Sequence, residues 1–162
     1  MKRNQKKVSG RNYLGNKGDD IIPLPYVNVR GQVNDFALTF EQRPRYLFVK
    51  GNGIRRSLAS IFEGTKEFSK IVEETDSKFI LLDYAEVITT VSVADIFNLT
   101  RLYEAKTPLF HQLCVSIVIN RNELHFEEFW EEICRKRGFN FKIFLEVDEA
   151  EQWLLGQLPN QS

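Results

Sequence analysis

The chain has 162 residues, 43% of them hydrophobic and 27% charged, which suits one packed globular domain. Its longest apolar runs, such as Phe79-Ile80-Leu81-Leu82, fall far short of the roughly 20 residues a transmembrane helix needs. Twenty-two basic and 22 acidic side chains cancel to zero net charge, which argues against a globally basic nucleic-acid binder.

The cancellation hides a gradient. Residues 1–20 sum to +4, residues 21–122 to +1 and residues 123–162 to −5. The basic head is rich in Asn, Gly and Gln and nearly lacks apolar residues before Tyr13. It cannot bury enough surface to offset its ordering entropy, so residues 1–25 read as a disordered tail ahead of a domain over 26–158. The tail reads either as a solubilising segment or as an arm for phosphate or a partner. No apolar stretch follows it, so a signal peptide is not expected.

Tyr26-Val27-Asn28-Val29 alternates as a strand, and Gly31-Gln32 turns the chain. Phe36 to Phe40 is a second strand expected to pair with the first in an N-terminal hairpin. Arg43-Pro44 breaks it, and Tyr46 to Val49 makes a third. From residue 54 the period turns helical, with Leu58, Ile61, Phe62, Thr65, Phe68 and Val72 on one stripe. Lys78 to Asp83 is a continuous apolar strand of the kind covered on both faces. Val93, Ile96, Phe97, Thr100 and Tyr103 mark a second helix, ended by Pro108, and Val115 to Ile119 a further buried strand. A third helix carries Phe126, Phe129, Trp130, Ile133 and Cys134. Its acids come early, Arg135, Lys136 and Arg137 come last, and Gly138 follows, as a helix dipole and a C-cap require. Phe141 to Leu145 is the last strand, and Asp148-Glu149 opens a helix holding Ala150, Trp153, Leu154 and Leu158. Strands alternating with helices predict an α/β fold: a mixed, mostly parallel sheet with helices packed on it.

Leu82-Asp83-Tyr84-Ala85-Glu86-Val87-Ile88-Thr89-Thr90-Val91-Ser92, with this element order, resembles the STAS-like fold of bacterial anti-sigma-factor antagonists. Phe141 to Leu155, with Asp148-Glu149-Ala150-Glu151-Gln152-Trp153-Leu154, is similar to the last strand and helix of the STAS/SEC14, or SpoIIAA-like, branch. The resemblance covers about residues 26–157. It implies a cytoplasmic, non-enzymatic regulatory module without a cofactor, which binds an anti-sigma factor or kinase-like protein and is released by phosphorylation of a Ser at a helix start. Ser92 matches that Ser, and Asp83 matches the Asp that ends the preceding strand. The family's Asp-Ser-Ser-Gly step reads Val91-Ser92-Val93-Ala94 here. The SEC14 side implies the alternative of a carrier for a lipid or small apolar ligand, for which 13 Phe residues offer material.

From physics alone, Ser92-Val93-Ala94-Asp95 is a capping box with Asp in the Glu position. A phosphate on Ser92 would add roughly −1.5 to −2 charge where a partner could sense it, with Thr89 and Thr90 as neighbouring substitutes. Lys50-Gly51-Asn52-Gly53-Ile54-Arg55-Arg56-Ser57 lies between a strand and a helix. It reads as a plain turn, or as a weak anion site in which Gly51 and Gly53 offer backbone N–H groups and Arg55 and Arg56 supply charge in a first helical turn. The Walker pattern and GxGxxG are both absent. His111 and His125 suggest no catalytic triad. Cys114 and Cys134 form no CxxC pair, so reduced thiols in a cytoplasmic setting and no metal site are expected. Glu127, Glu128, Glu131 and Glu132 read as a solvated acidic face or an interaction surface, and Trp130 and Trp153 as core. Exposed edge strands could pair in a homodimer.

Overall fold

Periods of two and of three to four residues alternate along the chain, and the backbone follows them. The structure is a computed structural model that describes residues 35–106 and 108–160, with the backbone alone at residues 106 and 124–127. The tail over 1–25, the strand expected over 26–29, its turn at Gly31-Gln32 and the side chains of His125, Phe126 and Glu127 lie outside the described residues. The elements are β1 (Phe36–Gln42), β2 (Leu47–Arg55), α1 (Leu58–Thr75), β3 (Phe79–Thr89), α2 (Val93–Lys106), β4 (Cys114–Ile119), α3 (Leu124–Lys136), β5 (Asn140–Phe144) and α4 (Val147–Gln157). Short 3-10 turns at Pro108–Gln112 and Arg121–Glu123 lead into β4 and α3.

The five strands lie side by side in chain order. β1 pairs antiparallel with β2, from Phe36↔Gly53 to Gln42↔Leu47, and β2 to β5 are parallel. The fold class is therefore the expected one, a mostly parallel sheet with helices packed on it. The hairpin among the described residues joins β1 to β2.

Chain order dictates where the helices go. Each parallel crossover is right-handed almost without exception, and here each one steps the sheet in the same direction. The three crossover helices must then share one face. Leu38, Val49, Ile61, Phe68, Ile80, Leu82, Ile96, Leu99, Val115, Ile117 and Cys134 form the large core on that side. α4 follows the last strand and covers the other face, where Tyr46, Leu81, Cys114, Val118, Ala150 and Leu154 form a smaller core. Covered on both sides, β4 is buried at all six positions, as its continuous apolar run predicts.

Two strands run further than their sequences suggest. β2 continues through Gly51-Asn52-Gly53 to Arg55, so this stretch is strand, and Arg55 and Arg56 precede α1 instead of opening it. Low strand propensity is overridden because bare backbone is needed there. A Cβ at Gly51 would meet the Tyr84 ring at 2.5 Å. Gly53 has φ +115°, and a Cβ there would lie 1.7 Å from the Asp35 carbonyl oxygen. β3 likewise does not end at Asp83 but runs six residues on, to Thr89.

Candidate functional site

The extra length of β3 contains an irregularity that builds a pocket. Lys50 faces Asp83 and Asn52 faces Glu86, so β3 spends three residues where β2 spends two. The inserted residue reverses the alternation of side chains. Before it, the even-numbered Ile80, Leu82 and Tyr84 face α1–α3. After it, the odd-numbered Val87 and Thr89 do, and both line the pocket. The displaced backbone at Ala85 is held by two side chains: its N–H donates to Asp83 Oδ1 at 3.0 Å, and its carbonyl accepts from Asn120 Nδ2 at 3.2 Å. Asp83 is buried and serves this bulge from the α4 side of the sheet, within β3 instead of at its end.

The pocket lies between the sheet and the three crossover helices and has a volume of about 110 Å³. Its walls include Phe68, Leu82, Ile96, Leu99, Phe110 and Ile117. A cavity of roughly 150 Å³ holds a benzene ring, so this smaller, partly open space takes at most a single ring or branched alkyl group and is small for an acyl lipid. Tyr103 and Thr65 contribute hydroxyls 2.7 Å apart. Burial pushes the Tyr103 phenol up, so it stays protonated. Burial also pushes the Tyr84 phenol up, against the pull of the nearby Arg55 cation.

Two charged groups stand at the rim, and both reach Thr89. Arg55 donates from Nη2 and Nε to Thr89 Oγ1 at 2.9 and 3.3 Å, and its guanidinium lies 4.8 Å from the Tyr84 ring centre and 5.7 Å from that of Phe36. The Thr89 N–H donates to Glu123 Oε1 at 2.6 Å. Among the described residues neither Arg55 nor Glu123 forms an ion pair. The Arg55 carbonyl accepts the Thr90 N–H at 2.9 Å, which fixes the end of β2.

The start of α2 is a reciprocal capping box. Ser92 Oγ accepts the Asp95 N–H at 3.1 Å, and Asp95 Oδ2 accepts the Ser92 N–H at 3.1 Å and the Ser92 hydroxyl at 2.7 Å. Ser92 and Thr90 are exposed.

The residues of the glycine-arginine stretch do not converge on one point. Gly51 and Gly53 lie within β2, and Arg56 points to solvent and pairs with Asp35 at 3.2 Å. At the start of α1 a capping box uses the Ser57 and Ser60 side chains to accept each other's backbone N–H. Only Arg55 turns to the pocket. Sequence reasoning missed Glu123, which lies beyond β4 with no local signal and reaches Thr89 only through the fold. Elsewhere, Glu131 leaves the expected acidic face and accepts the Ile143 N–H on the edge strand at 2.8 Å. Trp130 packs edge-on to Tyr103, and Trp153 packs near Phe144. Among the described residues no group of three or more His, Cys, Asp or Glu could hold a metal ion. No described helix is long and apolar enough to cross a membrane.

Neither family models nor curated proteins give a match to this chain. Among solved structures, the chain is similar to an uncharacterized protein from the DUF3478 family with a SpoIIAA-like fold, from Shewanella loihica. The two share 18% identity over 78% of this chain and 99% of that one, with a TM-score of 0.49. The likeness is one of fold.

Proposed function

We propose that this domain is a non-enzymatic, STAS-like regulatory module that binds another protein through the start of α2, with Ser92 as its switch. The observation that carries this reading is where apolar surface remains exposed. Among the described residues, the exposed large hydrophobics are Ile88, Val93 and Phe97, at 47, 49 and 42%. Val93 and Phe97 lie directly after Ser92, whereas Ile88, between Val87 and Thr89 in β3, faces the α4 side of the sheet. Val93 and Phe97 stand one turn apart on one face of α2. Two exposed apolar side chains side by side on one helix face point to a contact surface, whereas scattered single residues carry no such meaning. The partner therefore presents an apolar surface.

Phosphate on Ser92 would act at that patch in two ways. It would remove the hydroxyl hydrogen that Asp95 accepts, and it would set roughly −1.5 to −2 charge against the Asp95 carboxylate. It would also force an apolar partner to desolvate a dianion. The helix itself keeps some compensation from its positive end.

The test is purification of the full chain from its own cells with wild type, Ser92→Ala, Ser92→Asp and Phe97→Asp, all checked for folding by circular dichroism. A protein that co-purifies stoichiometrically with wild type and Ser92→Ala, and is lost from Ser92→Asp and Phe97→Asp, is the expected result. Retention of the same protein by Phe97→Asp sinks the reading of the surface. Equal behaviour of the two Ser92 variants sinks the switch.

A further inference from the structure

The pocket lies on the inner face of α2, lined there by Ile96 and Leu99, whereas Val93 and Phe97 are exposed on the outer face. We infer that it binds a small zwitterion, an α-amino acid with an apolar side chain of about the size of phenylalanine or leucine.

Three observations converge on that class. The walls are apolar and enclose about 110 Å³, room for one ring or one branched alkyl group. The rim holds one guanidinium and one carboxylate, Arg55 and Glu123, neither in an ion pair among the described residues. Both are tied to Thr89, Arg55 through the side chain and Glu123 through the backbone N–H, so they stand within a few ångströms of the same residue. A ligand that carried only a carboxylate would meet Arg55 favourably and Glu123 unfavourably. A ligand that carried only an ammonium would meet the reverse. A zwitterion answers both, with its carboxylate on Arg55 and its ammonium on Glu123.

The rim is also held in shape before any ligand arrives. Arg55 lies against the rings of Tyr84 and Phe36, which limits its rotamers and leaves guanidinium N–H donors beyond those spent on Thr89. Glu123 uses Oε1 on Thr89, and its second oxygen remains an acceptor. The bulge at Ala85 supplies the remaining condition, because without it Thr89 would face the other side of the sheet.

Calorimetric titration of the full chain, with chemical-shift mapping, tests the assignment. The probes are L-phenylalanine, L-leucine, 3-phenylpropionate, which lacks the ammonium, and phenethylamine, which lacks the carboxylate. Saturable binding of either amino acid is expected, with shifts at Thr89, Val87 and Ile117. Each single-charge analogue should bind at least about tenfold more weakly. Arg55→Gln should lose amino-acid affinity by a similar factor. Glu123→Gln keeps an acceptor for the Thr89 N–H and should erase the preference for L-phenylalanine over 3-phenylpropionate. Phe97→Asp should leave all of these affinities unchanged, which separates this site from the protein-binding surface. Absence of saturation by both amino acids at about 10 mM overturns the proposal. So does equal binding of the analogues to wild type, or unchanged affinity in folded Arg55→Gln.

Discussion

Single atoms decide several positions in this molecule, and Ser116 is the plainest case. It sits at the centre of β4, fully buried, where alternation with Cys114 and Val118 turns it toward α4. Its hydroxyl finds no hydrogen-bond partner among the described residues. A buried hydroxyl without a partner loses its water hydrogen bonds and recovers nothing, at a cost of about 1–3 kcal/mol. Alanine removes the polar atom and leaves a void of only one oxygen. Ser116→Ala should therefore be neutral or stabilising by up to about 1 kcal/mol in urea unfolding. A loss of stability larger than about 1 kcal/mol would show that the hydroxyl has a partner after all.

At the scale of elements, the bulge in β3 links the sheet to the pocket. Asp83 is the side chain that holds its inner edge, through the Ala85 N–H. Asp83→Ala should cost about 1–3 kcal/mol, the range for losing a hydrogen bond to a charged group. Amide exchange at Ala85 should accelerate with it, whereas Asp83→Asn, which keeps an acceptor oxygen, should preserve the protection. Unchanged exchange in Asp83→Ala would mean that the bulge is held by pairing alone. Much of the architecture is legible from periodicity, because apolar stripes at helical spacing and the all-apolar runs at Ile80–Leu82 and Ile117–Ile119 are consequences of burial itself. The bulge is not legible in that way. Gly51-Asn52-Gly53 carries the chemistry of a turn, and Tyr84-Ala85-Glu86 has no pattern that distinguishes strand from loop. Only the pairing of one stretch with the other settles both as strand. The same holds for the site. Arg55 stands out in sequence as a cation near glycines, but the face it serves depends on Tyr84 and Thr89 across the sheet. Ser92 is legible because a capping box is local in sequence.

For the whole molecule, burial makes pH dependence one-sided. Burial pushes the Cys114 thiol up to about 11 and also pushes up Cys134, Tyr84 and Tyr103. Each of these groups is neutral at pH 7, so they leave stability near neutrality flat. The sign follows from which state loses protons first. In the unfolded chain the thiols ionise near 9, while in the folded chain they hold their protons, so between those values the folded state binds more protons. The stability contributed by Cys114 is therefore fully present below about pH 9 and is lost as pH rises through 11. Urea unfolding at pH 7, 9 and 10.5 should give a plateau followed by a fall, and Cys114→Ala should flatten part of that fall. The same burial predicts that thiol-alkylating reagents at pH 8 modify neither cysteine until the protein unfolds, because the thiolate is the reactive form. A stability that stays level to pH 11 would overturn the prediction, and a fall untouched by Cys114→Ala would place the alkaline sensitivity elsewhere. The phenols of Tyr84 and Tyr103, both raised by burial, would then be the groups to replace with Phe.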